Sequence, residues 1–174
     1  QRDLLHKLAE VEEIDAFLHS KFLGAKRFSV SGAESVIVML DQLIEAAAES
    51  QMGEVIFGMA HRGRLNVLMN VLGKSPDQVF SEFSNTDDAD SYIGAGDVKY
   101  HLGAYRHHTT RKGHALYLAL AFNPSHLEAI TPVVQGRVRA KQEQRPDLGP
   151  DASLGVTIHG DGAFSGQGVV ADTL

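Results

Sequence analysis

With 174 residues, 43% of them hydrophobic, the chain is long enough to bury one substantial core. Its 22 acidic against 16 basic side chains give a formal charge of -6, and no basic stretch is interleaved with aromatics, which speaks against a nucleic-acid partner. Cysteine is absent, which excludes disulfides, thiolate nucleophiles and cysteine-based metal centres, and no apolar run reaches membrane-spanning length.

The opening stretch QRDLLHKLAEVEEIDAFLHSKF carries Leu4, Leu8, Val11, Leu18 and Phe22 at helical spacing, predicting a helical N-terminal segment over 1–24. It is charged throughout, unlike a secretory leader, so the chain reads as soluble and intracellular. Lys26–Gly32 forms a turn-rich lead into a second apolar helix, AESVIVMLDQLIEAAAES, over 33–50. EVIFGM (54–59) has the compact apolar look of a buried strand; the polar cluster His61-Arg62-Gly63-Arg64 and a third helix, LNVLMNVLG, follow it. The acidic, glycine-punctuated run over 84–98 reads as a surface loop or mobile segment. ALYLALAF (115–122) is a second strand, broken by Asn123-Pro124-Ser125-His126 before the helical stretch HLEAITPVVQGRVRAKQEQ. After a Pro/Asp/Gly turn region over 145–153, LGVTIHGDGAF reads as a third buried strand leading into another helix.

Three strand, polar loop, helix units with short connections predict an α/β fold with a mainly parallel sheet flanked by helices, in one domain spanning 1–174. Ligands of such sheets collect at the carboxyl ends of the strands, so His61-Arg62, Ser125-His126 and Gly160-Asp161-Gly162 are expected to converge. Both ends of the chain look cut, the last residues resembling the first turns of a helix, and a fragment of a longer protein is expected.

Four clusters carry chemistry. In Gly160-Asp161-Gly162-Ala163-Phe164-Ser165-Gly166, glycines allow close backbone approach, a helix start offers N–H groups to an anion, and Asp161 is a hard oxygen ligand for Mg²⁺. Alone, Gly-Asp-Gly is equally a tight turn with a solvated Asp. In Gly58-Met59-Ala60-His61-Arg62-Gly63-Arg64, arginine offers bidentate recognition of carboxylate or phosphate and the histidine a proton or hydrogen bond; a surface basic turn is the plainer reading of those residues by themselves. Lys99-Tyr100-His101-Leu102-Gly103 follows the acidic run and suggests the wall of a lid. In Phe122-Asn123-Pro124-Ser125-His126-Leu127-Glu128, Pro stops the strand and Ser125 is a candidate helix cap, with His126 and Glu128 read as structural. A Ser125–His61 (or His101)–Asp161 hydrolase is disfavoured because no GxSxG elbow exists. The histidines of AYRHHTTRKGH sit among Arg and Lys and lack HExxH spacing, so that stretch reads as solvated surface rather than a metal site.

Taken together and in this order, RFSVSGAESVIVMLD, GMAHRGRLNVL, GDVKYHLG, LALAFNPSHLEAITPVVQGRVRAKQ and IHGDGAFSGQGVV resemble the decarboxylating-component family of 2-oxoglutarate dehydrogenase complexes, over nearly the whole chain. The resemblance implies the diphosphate- and magnesium-binding half of a thiamine-diphosphate fold, truncated at its C-terminus. It implies decarboxylation of 2-oxoglutarate, with the succinyl unit passing to the lipoyl domain of a dihydrolipoyl succinyltransferase partner, in a homodimeric enzyme of the tricarboxylic acid cycle. The compartment would be cytoplasmic in a bacterium and the mitochondrial matrix in a eukaryote. Asp161 would hold Mg²⁺ and through it the diphosphate, with Gly162, Ala163 and Phe164 lining the same end. Arg62 would face the diphosphate or substrate, Ser125 and Leu127 would pack around the cofactor ring and substrate, and His61 and His101 would face the 2-oxo acid and its adduct. Where many members read Gly-Asp-Ala-Ala, this chain has Gly160-Asp161-Gly162-Ala163. The family's second metal ligand and its pyrimidine-activating acid lie beyond Leu174, so weak or absent cofactor binding by this chain alone is expected. Two alternatives stand beside this reading: a 2-oxoadipate enzyme with the same motifs, and a non-catalytic assembly domain.

Overall fold

A computed structural model describes residues 2–84 and 100–174, with side chains described outside 82–84. The chain divides into two compact units, Gln1–Gln42 with His61–His101, and Leu43–Ala60 with Leu102–Leu174.

The first unit is helical. Helix α1 (Arg2–Lys21) buries Val11 and Leu18, two turns apart on one face, as the leucine spacing predicted. Helix α2 (Ser35–Glu49) begins in this unit, and α3 (Arg64–Asn70) follows the His61 loop. The α3 side chain of Asn66 reaches the Val11 carbonyl of α1, donating at 3.3 Å, and Lys7 donates to the Asn70 carbonyl at 3.4 Å. Sequence spacing did not reveal α4 (Pro76–Ser84). Its start is a reciprocal cap: Ser75 Oγ accepts the Gln78 N–H at 3.3 Å and Gln78 Oε1 accepts the Ser75 N–H at 3.2 Å. Of the surface segment expected over 84–98, Ser84 closes α4 and the remainder lies outside the described residues.

The second unit holds a four-stranded sheet: β1 (Glu54–Met59), β2 (Ala104–Thr109), β3 (Ala115–Leu120) and β4 (Ser153–Ile158), in the order β2-β3-β1-β4. Strand β1 pairs parallel with both β3 and β4. All six of its residues are buried, which is why VIFGM (55–59), after the ion-paired Glu54, reads as an apolar run instead of an alternation. Strand β2 runs antiparallel to β3 through the turn around Gly113. The fold is therefore α/β with a mainly parallel sheet, plus one antiparallel strand made of AYRHHT, a stretch read from sequence only as solvated surface. Both readings hold in part: β2 is a polar edge strand, mostly exposed on its two faces. The expected third buried strand, β4, is instead half-buried, with Gly155 and Thr157 exposed, because it lies at the other edge of the described sheet.

Helix α5 (Ile130–Gln144) covers one face of β1 and β4. Glycines in the strands set its distance: a Cβ at Gly58 would fall 2.5 Å from Val134 Cγ2, and one at Gly155 would fall 3.0 Å from Val138 Cγ2. Ile56, Ala121, Ile130 and Val134 form the core at that contact. Short helices α6 (Asp161–Gly166) and α7 (Gly168–Thr173) end the unit. Among the described residues, no helix is long and apolar enough to cross a membrane.

Candidate functional site

In the first unit, the sharp turn after β1 is built on Gly63, at φ 74, whose N–H donates to the Phe28 carbonyl at 2.8 Å. This turn sets His61, half-buried, against three other rings. Phe28 stacks on it with centroids 5.1 Å apart, His101 meets it nearly perpendicular at 5.0 Å, and Tyr100 stands edge-on at 6.4 Å. His61 and His101, separated in sequence, are thus neighbours. The two arginines of HRGR have opposite fates. Arg62 is exposed, available to an anionic ligand. Arg64 is not a loop residue: it opens α3 and is completely buried, and that burial pulls its guanidinium down to about 10.

In the second unit the carboxyl ends of the parallel strands lie level, with Phe57 opposite Leu120 and Met59 opposite Ile158. The segments after β3 and β4 therefore leave the same end of the sheet. Ser125 and Leu127 are exposed there. Ser125 is not the helix cap expected from sequence. Glu128 takes φ 70, which interrupts helical continuity, and α5 starts only at Ile130 behind Ala129, with no side-chain cap. After β4, Asp161 and Gly162 are exposed, Ala163 is half-buried and Phe164 is 44% exposed. Added Cβ atoms at Gly160 or Gly162 would meet nothing within 4 Å, so a ligand can approach that backbone unhindered. Helix α6 is only six residues long, so its dipole adds little; what this end offers a ligand is an exposed carboxylate and open backbone. Among the described residues no cluster of three or more metal-ligating side chains exists.

A feature that sequence reasoning missed lies directly behind this loop. His159 Nδ1 is 2.5 Å from Glu128 Oε2, and Nε2 is 2.9 Å from Thr131 Oγ1; the two side chains of the first contact are 4% and 0% exposed. The Glu128 approach is close, but it is not an aligned hydrogen bond. Burial pushes the His159 imidazole below its ordinary value, against the opposite pull of Glu128. Phe164 stacks on the ring at 5.9 Å. The signal available was a histidine beside Gly-Asp-Gly, but its partner comes from a different loop, and spacing along the chain does not disclose such a pairing.

The chain matches the dehydrogenase E1 component family over residues 6–174. It is 48% identical, over its full length, to the 2-oxoglutarate dehydrogenase E1 component of Cupriavidus necator, of which it covers 18%. It is 46% identical over 98% of its length to the protein of that name from a Geobacillus species, covering 20% of it. Over its whole length it is 48% identical to the multifunctional 2-oxoglutarate metabolism enzyme of Mycolicibacterium vanbaalenii, covering 14% of that protein. The chain thus spans about a fifth or less of the curated relatives it matches.

Proposed function

The chain belongs to the dehydrogenase E1 component family, and on that premise we propose that it is part of a thiamine-diphosphate- and Mg²⁺-dependent enzyme that decarboxylates 2-oxoglutarate. In this reading residues 1–174 supply the diphosphate- and metal-binding half of the fold. The observation that carries it is the exposed Asp161 carboxylate between two unobstructed glycines at the carboxyl end of β4. When bound, thiamine diphosphate would supply the carbanion and the electron sink that decarboxylation needs.

The chain's own residues do the placing. Asp161 holds the metal, and Gly162, Ala163 and Phe164 line the diphosphate end. Arg62 neutralises phosphate or carboxylate charge through its planar donor fork, while Ser125 and Leu127 support the cofactor ring. Ser125 also contacts the substrate. His61 and His101 bind the 2-oxo acid and hold or move a proton at an imidazole nitrogen. A dicarboxylate requires such cationic and hydrogen-bonding groups, since burying it unpaired would be prohibitive. The succinyl group then passes to the lipoyl domain of a succinyltransferase partner, and the complete enzyme is a homodimer.

Calorimetric titration with thiamine diphosphate and Mg²⁺ tests this, on the 174-residue chain and on a full-length protein containing it. Saturable, Mg²⁺-dependent binding that disappears in Asp161→Ala supports the proposal. Absence of binding in both proteins sinks it and leaves an assembly role.

A further inference from the structure

We propose that Glu128 and His159 are a positioning pair: linked to each other at the bases of two loops, they fix the backbone that presents Asp161. The inference rests on Asp161 being the metal ligand and goes beyond it to two residues that do not touch the metal.

The loop that carries Asp161 has little support of its own. Gly160 and Gly162 have open space around them, Asp161 and Phe164 are exposed, and Gly160 is extended at φ -78 and ψ 143. The next well-buried residue downstream is Val170 in α7. Upstream, the side chain two residues before Asp161 is His159, 4% exposed. The direction in which Asp161 leaves the sheet is therefore set at His159.

Three groups hold that ring. Glu128 Oε2 lies 2.5 Å from Nδ1, Thr131 Oγ1 lies 2.9 Å from Nε2, and Phe164 covers a face. Nε2 is paired with the Thr131 hydroxyl, while Nδ1 and the Glu128 carboxylate are held in close approach without an aligned hydrogen bond between them. Glu128 and Thr131 belong to the turn that starts α5, where Thr131 N–H also donates to the Glu128 carbonyl at 2.9 Å. Glu128 reaches inward from a left-handed backbone, φ 70, that a glutamate rarely adopts, and a conformation of that kind persists only where surrounding contacts determine it. The pair thus ties the Ser125–Leu127 segment to the Gly160–Asp161 segment, and both carry proposed cofactor contacts.

The test uses the full-length enzyme containing this segment. Mg²⁺ affinity is read by calorimetry at saturating thiamine diphosphate, and kcat is read separately at saturating Mg²⁺. In Glu128→Gln and His159→Asn the Mg²⁺ dissociation constant is expected to rise about tenfold, the lower end of what loss of a partner behind a metal ligand costs. Recovery of kcat towards wild type at high Mg²⁺ is expected, and the double variant should be no worse than either single one. The exposed substitution His114→Asn, outside both loops, should change neither quantity. Unchanged Mg²⁺ affinity in both variants, or additive losses in the double variant, overturns the pairing. If His159→Asn fails to fold, the isosteric Glu128→Gln decides alone. A wild-type enzyme without Mg²⁺-dependent binding instead overturns the metal-site reading itself, and this one with it.

Discussion

Phe28 lays its ring on the imidazole of His61, with centroids 5.1 Å apart and planes 29° apart, while its own backbone sits at φ 45. A phenylalanine in left-handed conformation needs contacts that determine it. They are present on both sides. The Phe28 carbonyl accepts the Gly63 N–H, and the next two residues are held by Asp15, whose Oδ2 accepts from Ser29 Oγ at 2.6 Å and from Val30 N–H at 3.1 Å. The edge of Tyr100 closes on Phe28 at 4.7 Å. The ring that orients His61 is thus anchored through helix α1.

The Phe28–His61 contact should appear as a coupling energy. Denaturant unfolding of Phe28→Ala, His61→Ala and the double variant is expected to give about 0.5–1.5 kcal/mol, the range for stacked aromatic pairs. A coupling indistinguishable from zero would mean that the two rings are merely adjacent.

Asp15 should matter more than a surface carboxylate of α1 does. It accepts from Ser29, Val30 and, at 3.4 Å, Asn66 Nδ2. Asp15→Ala leaves those donors to find water or stay unpaired, at a cost of about 1–3 kcal/mol. The neighbouring Glu12→Ala, an exposed position, is the control, and equal losses in the two would contradict the role given to Asp15.

What the sequence disclosed follows burial. Strand β1 was legible because all six residues are buried, and α1 because Val11 and Leu18 recur on one face. Strand β2 was not, since an edge strand with Tyr105, Arg106 and His107 exposed has no apolar period to detect. Helix α4 was not legible although Ser75 and Gln78 spell its cap, because nine residues give too short an apolar period to stand out. Ser125 has the residue type and the position after a strand that suit a cap, yet it caps no helix. The true break lies at Glu128, whose backbone angle no residue-type preference foretells. Of the candidate site, motifs single out His61, His101 and Asp161, and the fold adds that the two histidines are neighbours and Asp161 is exposed, whereas the Glu128–His159 contact joins two loops and is visible only in the fold.

Gly58 should not tolerate a methyl group. The added Cβ would lie 2.5 Å from Val134 Cγ2 and 3.0 Å from Ile130 Cγ1, inside the core between β1 and α5. Gly58→Ala is expected to destabilise by about 1–3 kcal/mol through overpacking. Thermal unfolding of Gly58→Ala/Val134→Ala supplies the check: removing the clashing methyls should make the double variant more stable than the sum of the single losses predicts. Strict additivity would place the clash elsewhere.

Glu54, at the start of β1, has a side chain 6% exposed and is met by two cations one helical turn apart on α5: Arg137 Nη2 at 3.1 Å and Lys141 Nζ at 3.3 Å. Those cations are 36% and 37% exposed, so after Glu54→Ala both can hydrate. The loss should therefore fall below that for breaking a fully buried pair, at about 1–3 kcal/mol. Removing one cation leaves the carboxylate with the other, so Arg137→Ala and Lys141→Ala should each cost less than Glu54→Ala. Removing both strands a buried charge, and the double variant should lose more than the two single losses added together. Because the acceptor is buried, raising salt to about 0.5 M should weaken this network less than the exposed Arg139–Glu143 pair of the same helix. Denaturant unfolding of the four variants at low and high salt decides it; additive cation losses with full screening would show Glu54 acting as an ordinary surface carboxylate.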